Sequence, residues 1–267
     1  MRWPKLKLHA ESFIAVSPAW ILCLLIATAM LAQQPSPPAS ATPPPLSAEQ
    51  VVKKLQQRNQ ERAVALRQFQ STRIYRIQYH GFPSNRDAEM VVKMEYESPA
   101  KKEFTVISQT GSQFVIDHVL KKLLEGEREA TDAENQRRTA LTADNYDFQM
   151  DGYENTSSGL QYVLQVIPKS HNKYLYRGKI WVDAKDFAVT QMEGKPAKNP
   201  SVWIKKTQIE HKYEKIDSFW LPEQNRTESV VRLGGRATLT IDYKDYKIIE
   251  AGPITSVPDV SQTTAVR

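Results

Sequence analysis

The stretch Tyr174 to Pro200, YLYRGKIWVDAKDFAVTQMEGKPAKNP, constrains the fold more than any other because it reads as two strands joined by a tight turn. Tyr174, Tyr176, Ile180 and Val182 fall on one face and Arg177, Lys179 and Asp183 mostly on the other, the alternation of a half-buried antiparallel strand. Asp183 is placed to open a type I turn through Ala184 and Lys185. Phe187 and Val189 then resume the apolar face, and Gly194 with Pro196 ends the pairing.

Most of the chain repeats this pattern. Tyr75, Ile77 and Tyr79 oppose Arg76, Gln78 and His80; after a loop from Gly81 to Asp87, Met90, Val92, Met94 and Tyr96 oppose Glu89, Lys93, Glu95 and Glu97. Pro99 stops that strand. Phe104 and Val106 continue the apolar face in a third strand, and Gly111 with Ser112 turns into Gln113 to Ile116. Strands return from Tyr146 to Glu154 and from Leu160 to Ile167, with Leu160, Tyr162, Leu164 and Val166 inward. After the Tyr174 hairpin come Val202 to Lys215 and Phe219 to Leu233. Gly234 and Gly235 read as a two-residue turn into a last strand, where Ala237, Leu239, Ile241 and Tyr243 alternate with polar residues. The phase slips near Asp245, which a β-bulge explains.

Two segments have helical spacing instead. Ser47 and Gln50 form a capping box, and Val52, Leu55, Ala63 and Leu66 recur at helical spacing to Phe69. Val119, Leu120, Leu123 and Leu124 make an apolar stripe, and Thr131 with Glu134 suggests a second capping box opening a short helix to about Leu141. Helices between runs of strands must dock on the apolar face of the sheet to bury that stripe. The sum is a mainly β, α+β fold of roughly eleven strands in hairpin succession, one large antiparallel sheet.

The first 32 residues stand apart. Arg2, Lys5 and Lys7 precede an apolar run from Ala19 to Ala32, the layout of a secretory signal peptide, with an uncleaved anchor as the alternative. Residues 33–46 form a Pro-rich tether, residues 47–250 one domain, and residues 251–267 a tail without periodicity, expected to be disordered. The remainder is expected outside the cytoplasm, in the periplasm, or tethered to a membrane if the leader stays. The single cysteine, Cys23, lies within the leader, so a processed chain has no disulfide. Net charge falls from +6 to +4 on removing Arg2, Lys5, Lys7 and Glu11, and the signs are interspersed. No basic block suits nucleic acid.

Catalytic signatures are absent: there is no GxSxG elbow, Gly-rich phosphate loop or HExxH pair. His80, His118, His171 and His211 are scattered near turns or on wet strand faces. Glu125, Glu127 and Glu129 read as the solvated face of a helix, and Asp183 with Asp186 brackets a turn for backbone reasons. A hydrolase would need Glu127 and Asp183 in one cleft. Asn155-Thr156-Ser157 and Asn225-Arg226-Thr227 match the short glycosylation sequon. No catalytic residue, metal or cofactor is assigned.

The sheet offers more inward apolar and aromatic side chains than narrow helical stripes can cover. A filled barrel or sandwich is one outcome. The other is a half-closed barrel with a helical lid over an apolar groove lined by Tyr75, Ile77, Tyr79, Met90, Val92, Met94, Tyr96, Phe104, Val106, Leu120, Leu123, Leu124, Tyr162 and Leu164. Each acyl methylene removed from water contributes about 0.8 kcal/mol, so a chain of about fifteen gives about 12 kcal/mol before ordering costs.

The leader, the capped first helix, the helices between strand runs and the G-K-I-W-V-D-x-x-D-F hairpin followed by E-G-K-P together resemble the LolA-like group of outer-membrane lipoprotein-sorting proteins. The resemblance covers about Ser47 to Ile249 and is punctuated by Gly178, Trp181, Asp183 and Gly194. It implies an unclosed, roughly eleven-stranded half-barrel with a helical lid, and a non-enzymatic, monomeric carrier of lipid or lipoprotein acyl chains that meets a membrane-bound donor or acceptor. It also implies an arginine that latches the lid; Arg73 and Arg76 lie on the first strand, and no local motif chooses between them. The alternative within the same resemblance is a lipid-sensing regulator of the RseB type, and outside it a β-rich envelope domain with no cavity.

Overall fold

The computed structural model describes residues 46–254 apart from 100, 130–136, 158, 173, 200–203 and 233. The leader, the tether up to residue 45, the Thr131–Glu134 capping box and the tail beyond 254 lie outside the described residues. The described residues open with helix α1 (Ala48–Ala65), then strands β1 (Leu66–Gly81), β2 (Arg86–Glu97) and β3 (Lys101–Gly111). A helical segment follows as α2 (Gln113–Val115), a π-helical turn (Ile116–Leu120) and α3 (Lys121–Glu129). After a helical turn at 137–139, the described end of the short helix expected to run to about Leu141, the elements are strands: β4 (Tyr146–Thr156), β5 (Gly159–Pro168), β6 (Tyr176–Asp183), β7 (Val189–Pro196), β8 (Ile204–Ile216), β9 (Phe219–Val231) and β10 (Gly235–Ala251).

The sheet has ten strands in the order β3-β2-β1-β10-β9-β8-β7-β6-β5-β4, all neighbours antiparallel. The eleventh expected strand is missing because Gln113 to Ile116, read as following a turn in the sheet, is helical. β3 and β4 are the two edges, so the half-barrel is unclosed. They are also consecutive strands in the chain. The described helices of the connection between them lie on the inner face, against β1, β2 and β10.

Sequence logic explains the local detail. Ser47 caps α1 through its hydroxyl, which accepts from the Gln50 N–H at 3.2 Å, while the Gln50 side chain accepts from the Ser47 N–H at 2.8 Å. The helix stops at Ala65 rather than near Phe69, because Leu66 turns to an extended backbone and pairs with Ala251. Leu66 and Phe69 are spaced for a helix face, yet both are buried as strand residues beside Met94 and Tyr96. At the far end, Gly235 pairs with Val231, so the β9–β10 connection is the longer loop Arg232 to Gly234 instead of a two-residue turn, with Gly234 at a φ of +84°. The phase slip near Asp245 is a register shift against β1: Thr72 faces Lys244 but Gln70 faces Lys247. Asp245 takes a φ of +54°, which keeps Tyr246 and Ile248 on the inner side with Phe69 and Tyr96.

The β6–β7 hairpin folds as its sequence dictates. The Asp183 carboxylate accepts from the Lys185 and Asp186 backbone N–H groups at 2.9 and 2.7 Å, closing the turn. Gly178 and Gly194 face each other across the pair. A Cβ on Gly178 would lie 1.9 Å from the Glu193 carbonyl oxygen, so the two backbones approach where only glycine fits.

Two helical layers share the inner face. α1 buries Ala48, Val51, Val52 and Leu55 against Phe148, Tyr162, Leu164, Val166, Ile180 and Met192. Arg62 near its end donates to the Asp186 and Phe187 carbonyls at 2.9 Å each, clamping the helix to the β6–β7 turn. The α2–α3 segment buries Val115, Ile116, Val119, Leu120, Leu123 and Leu124 against β1, β2 and β10. Between the two clusters β8 and β9 carry buried polar residues: Thr207, His211, Thr227 and Ser229.

Candidate functional site

The candidate site is the layer between α2–α3 and the inner face of β1, β2 and β10. Period-two alternation on β1 turns Phe69, Ser71, Arg73, Tyr75 and Ile77 inward. Register then places Met90 opposite Tyr75 and Val92 opposite Arg73 on β2, with Ile241 and Tyr243 opposite the same residues on β10. The helical segment lays its stripe across this floor. The π-helical turn at Ile116–Leu120 lies at the middle of the contact.

The expected lining residues separate into groups. Tyr75, Ile77, Met90, Val92, Leu120, Leu123 and Leu124 meet in one cluster under the helical segment, with Phe104 packed against it. Met94 and Tyr96 belong to the adjoining cluster at the α1–β1 junction, which Phe104 also touches. Tyr162 and Leu164 lie under α1 on the other half of the sheet. Tyr79 sits at the rim, its hydroxyl donating to the Phe82 carbonyl at 2.6 Å. Val106, on edge strand β3, stands 42 % exposed.

The centre of the layer is charged. Arg73 is fully buried and Glu127, on α3, is 1 % exposed. The Arg73 Nη1 donates to Glu127 Oε2, and the Tyr75 hydroxyl donates to Glu127 Oε1 at 2.7 Å. The guanidinium lies over two rings, 5.3 Å from the Phe104 centroid and 5.0 Å from that of Tyr243. Its Nε and Nη2 have no hydrogen-bond acceptor among the described residues. Burial opposes the Arg73 charge, but Glu127 together with the Tyr75 and Tyr243 phenols outweighs it and holds the pKa above its ordinary value. Burial and the Glu127 carboxylate raise the Tyr75 pKa, so its phenol stays a donor.

Glu127 is thus not on the solvated face of its helix. Counting from Leu120, Leu123 and Leu124, it falls at the next position of the same stripe. Arg73 is likewise in phase with Tyr75 and Ile77, whereas Arg76 points to the other face and pairs with Glu89 and Asp242. Two opposite charges at core positions of separate elements were the signal that singles out Arg73 over Arg76. Glu127 and Asp183 do not meet: the first packs beneath α3, the second turns the β6–β7 hairpin beside α1.

Two further residues differ from the sequence reading. His211 is fully buried on the inner face opposite Met192, and burial depresses its pKa to about 3. The Asn225 amide donates to the Tyr243 hydroxyl at 2.8 Å and Thr227 is buried, so this sequon is taken up by packing. On the opposite face of the sheet lies an open trough of about 380 Å³ across β4 to β9, lined by Glu154, Gln161, Trp181, Gln191, Lys212 and Trp220 among others. Its lining mixes polar side chains with the Trp181, Tyr213 and Trp220 rings, and Trp181 is tied to Glu154 through its indole N–H at 3.2 Å.

Residues 139–246 match a family model described as a family of unknown function, DUF5686. No curated protein matches the chain. Among solved structures, a DUF1329 family protein from Desulfovibrio piger is similar at 14 % identity and a TM-score of 0.36, covering 74 % of this chain and 92 % of that one. A LolA superfamily protein from Nitrosomonas europaea is similar at 13 % identity and a TM-score of 0.33, covering 78 % and 96 %. An outer-membrane lipoprotein-sorting protein domain from Vibrio parahaemolyticus is similar at 10 % identity and a TM-score of 0.34, covering 74 % and 92 %.

Proposed function

We propose that the protein is a non-enzymatic carrier that takes acyl chains of a lipid or lipoprotein between α2–α3 and the inner face of β1, β2 and β10. The observation that carries this reading is the pairing of an apolar floor with a helical cover whose central contact is one buried ion pair. A buried pair returns little net stability, because desolvating both charges offsets their attraction. The cover is therefore held mainly by its leucine, isoleucine and valine side chains. A hydrocarbon chain can replace those contacts in kind, at about 0.8 kcal/mol per methylene buried.

The leader-like start of the sequence supports an exported, periplasmic setting, where such a carrier would exchange cargo with a membrane-bound partner. Native mass spectrometry of protein purified from membranes of the producing cell tests the reading. A mass increment matching lipid, and displacement of a fluorescent fatty acid by added lipid, are expected. Protein of bare mass that also fails to take up the fluorescent fatty acid would refute it.

A further inference from the structure

The Arg73 guanidinium has five N–H donors and uses few of them. Glu127 meets it end-on through Nη1, leaving Nε and Nη2 buried with no acceptor among the described residues. A guanidinium is a planar fork that matches a carboxylate or phosphate through two parallel hydrogen bonds. Around the fork stand two phenols. The Tyr75 hydroxyl already donates to a carboxylate oxygen at 2.7 Å. The Tyr243 hydroxyl accepts from the Asn225 amide at 2.8 Å, so its own hydrogen is available to an acceptor. All of these groups except Glu127 sit on strands, while Glu127 rides on the helical cover.

From this we infer that Glu127 occupies an oxyanion site, and that the preferred cargo is an anionic amphiphile whose head group replaces Glu127 as the counter-ion of Arg73 when the cover lifts. The inference rests on the acyl-chain reading above and specifies its head group. Apolar side chains on β1, β2 and β10 surround the site, so the oxyanion and the hydrocarbon tail are bound side by side. Without a replacement anion, lifting α3 would leave Arg73 facing an apolar floor. With one, the two orphan N–H groups gain partners that Glu127 does not supply. A neutral head group cannot do this, and the exchange therefore discriminates between lipids of equal tail length. Carboxylate and phosphate share the chemistry, and the experiment separates a fatty acid from a phospholipid source.

Displacement of the neutral probe N-phenyl-1-naphthylamine by decanoate, decyl phosphate and decan-1-ol tests it on the full chain. In the wild-type protein at least one of the two anions is expected to displace the probe about tenfold more effectively than the alcohol. The anion that does so identifies the source. Glu127→Gln removes the competing carboxylate and is expected to strengthen the anions about tenfold while leaving the alcohol unchanged. The double variant Arg73→Met with Glu127→Leu replaces the pair by apolar side chains, a change that buried pairs tolerate. It is expected to keep alcohol binding and lose the anion preference. Equal displacement by all three compounds in all three proteins would overturn the oxyanion site and leave the acyl groove standing. Probe binding that none of the compounds reverses would overturn both.

Discussion

Arg73→Met is the perturbation that most sharply tests how the cover is held. Methionine keeps most of the apolar stem and removes the guanidinium, so Glu127 is left 1 % exposed with the Tyr75 hydroxyl as its remaining donor. Breaking a buried pair on one side in this way costs about 3–5 kcal/mol when the orphan charge stays buried. Glu127 has an escape, however, because α3 can leave the floor and hydrate the carboxylate. The loss in global stability is then capped by the free energy of lifting the cover, and the difference shows as local opening. Urea unfolding should report a loss below about 3 kcal/mol. Hydrogen exchange followed by mass spectrometry should show peptides from 113–129 losing about a hundredfold protection, equivalent to about 2.7 kcal/mol. Peptides from β5 to β7, beneath α1, should lose no more than the global change allows. Uniform loss of protection across both halves of the sheet would refute the idea that the cover moves independently.

The buried His211 makes stability pH-dependent with a definite sign. Its folded pKa of about 3 lies below the ordinary value of 6.5, so its contribution is complete above about pH 6.5 and declines by about 1.4 kcal/mol per unit as the pH falls toward 3. Urea midpoints between pH 7 and pH 5 should fall in the wild type and fall less in His211→Leu; equal slopes would contradict the assignment. Gly178→Ala puts a methyl group 1.9 Å from the Glu193 carbonyl oxygen as the backbone stands, and should cost about 3 kcal/mol in equilibrium unfolding. A variant as stable as the parent would mean that β6 and β7 do not approach so closely.

Much of the fold was legible because one period governs it. Alternation located the strands on either side of the helical insert, Ser47 with Gln50 located the start of α1, and the slip at Asp245 announced a bulge. The errors have physical causes. Leu66 and Phe69 are three apart, a spacing that a helix face and a strand with an irregular register both satisfy, and pairing with β10 decided for the strand. Gln113 to Ile116 is too short for either period to speak, and its helix is an extension of the stripe behind it. The candidate site was legible only in its apolar half. Glu127 reads as wet because a charged residue is ordinarily assigned to the solvated face, although it falls in phase with Leu120, Leu123 and Leu124; Arg73 stays undecided against Arg76, although it falls in phase with Tyr75 and Ile77. His211 was misplaced for the same reason as Glu127.

The two covers of the inner face are built differently, and that difference assigns the motion. α1 runs directly into β1 without a loop, is capped at its start by Ser47 and Gln50, and is tied near its end through Arg62 to two carbonyls of the β6–β7 turn. Displacing it would require breaking the first turns of the longest pairing in the sheet, β1 with β10. The α2–α3 segment instead lies in sequence between the two edge strands, β3 and β4, passes through a π-helical turn and carries its one central charge into an incompletely satisfied site. Its central contacts with the floor are either apolar or part of the Arg73–Tyr75–Glu127 cluster; at the margins Arg86 lies over the Phe114 ring and Arg128 donates to the Phe104 carbonyl at 3.3 Å. A hydrocarbon tail can replace the first kind and an anionic head group the second, while nothing on such a ligand can substitute for the backbone continuity of α1. On the proposed carrier reading, a ligand entering the inner face would therefore lift α2–α3 and leave the α1 half of the sheet as the fixed frame.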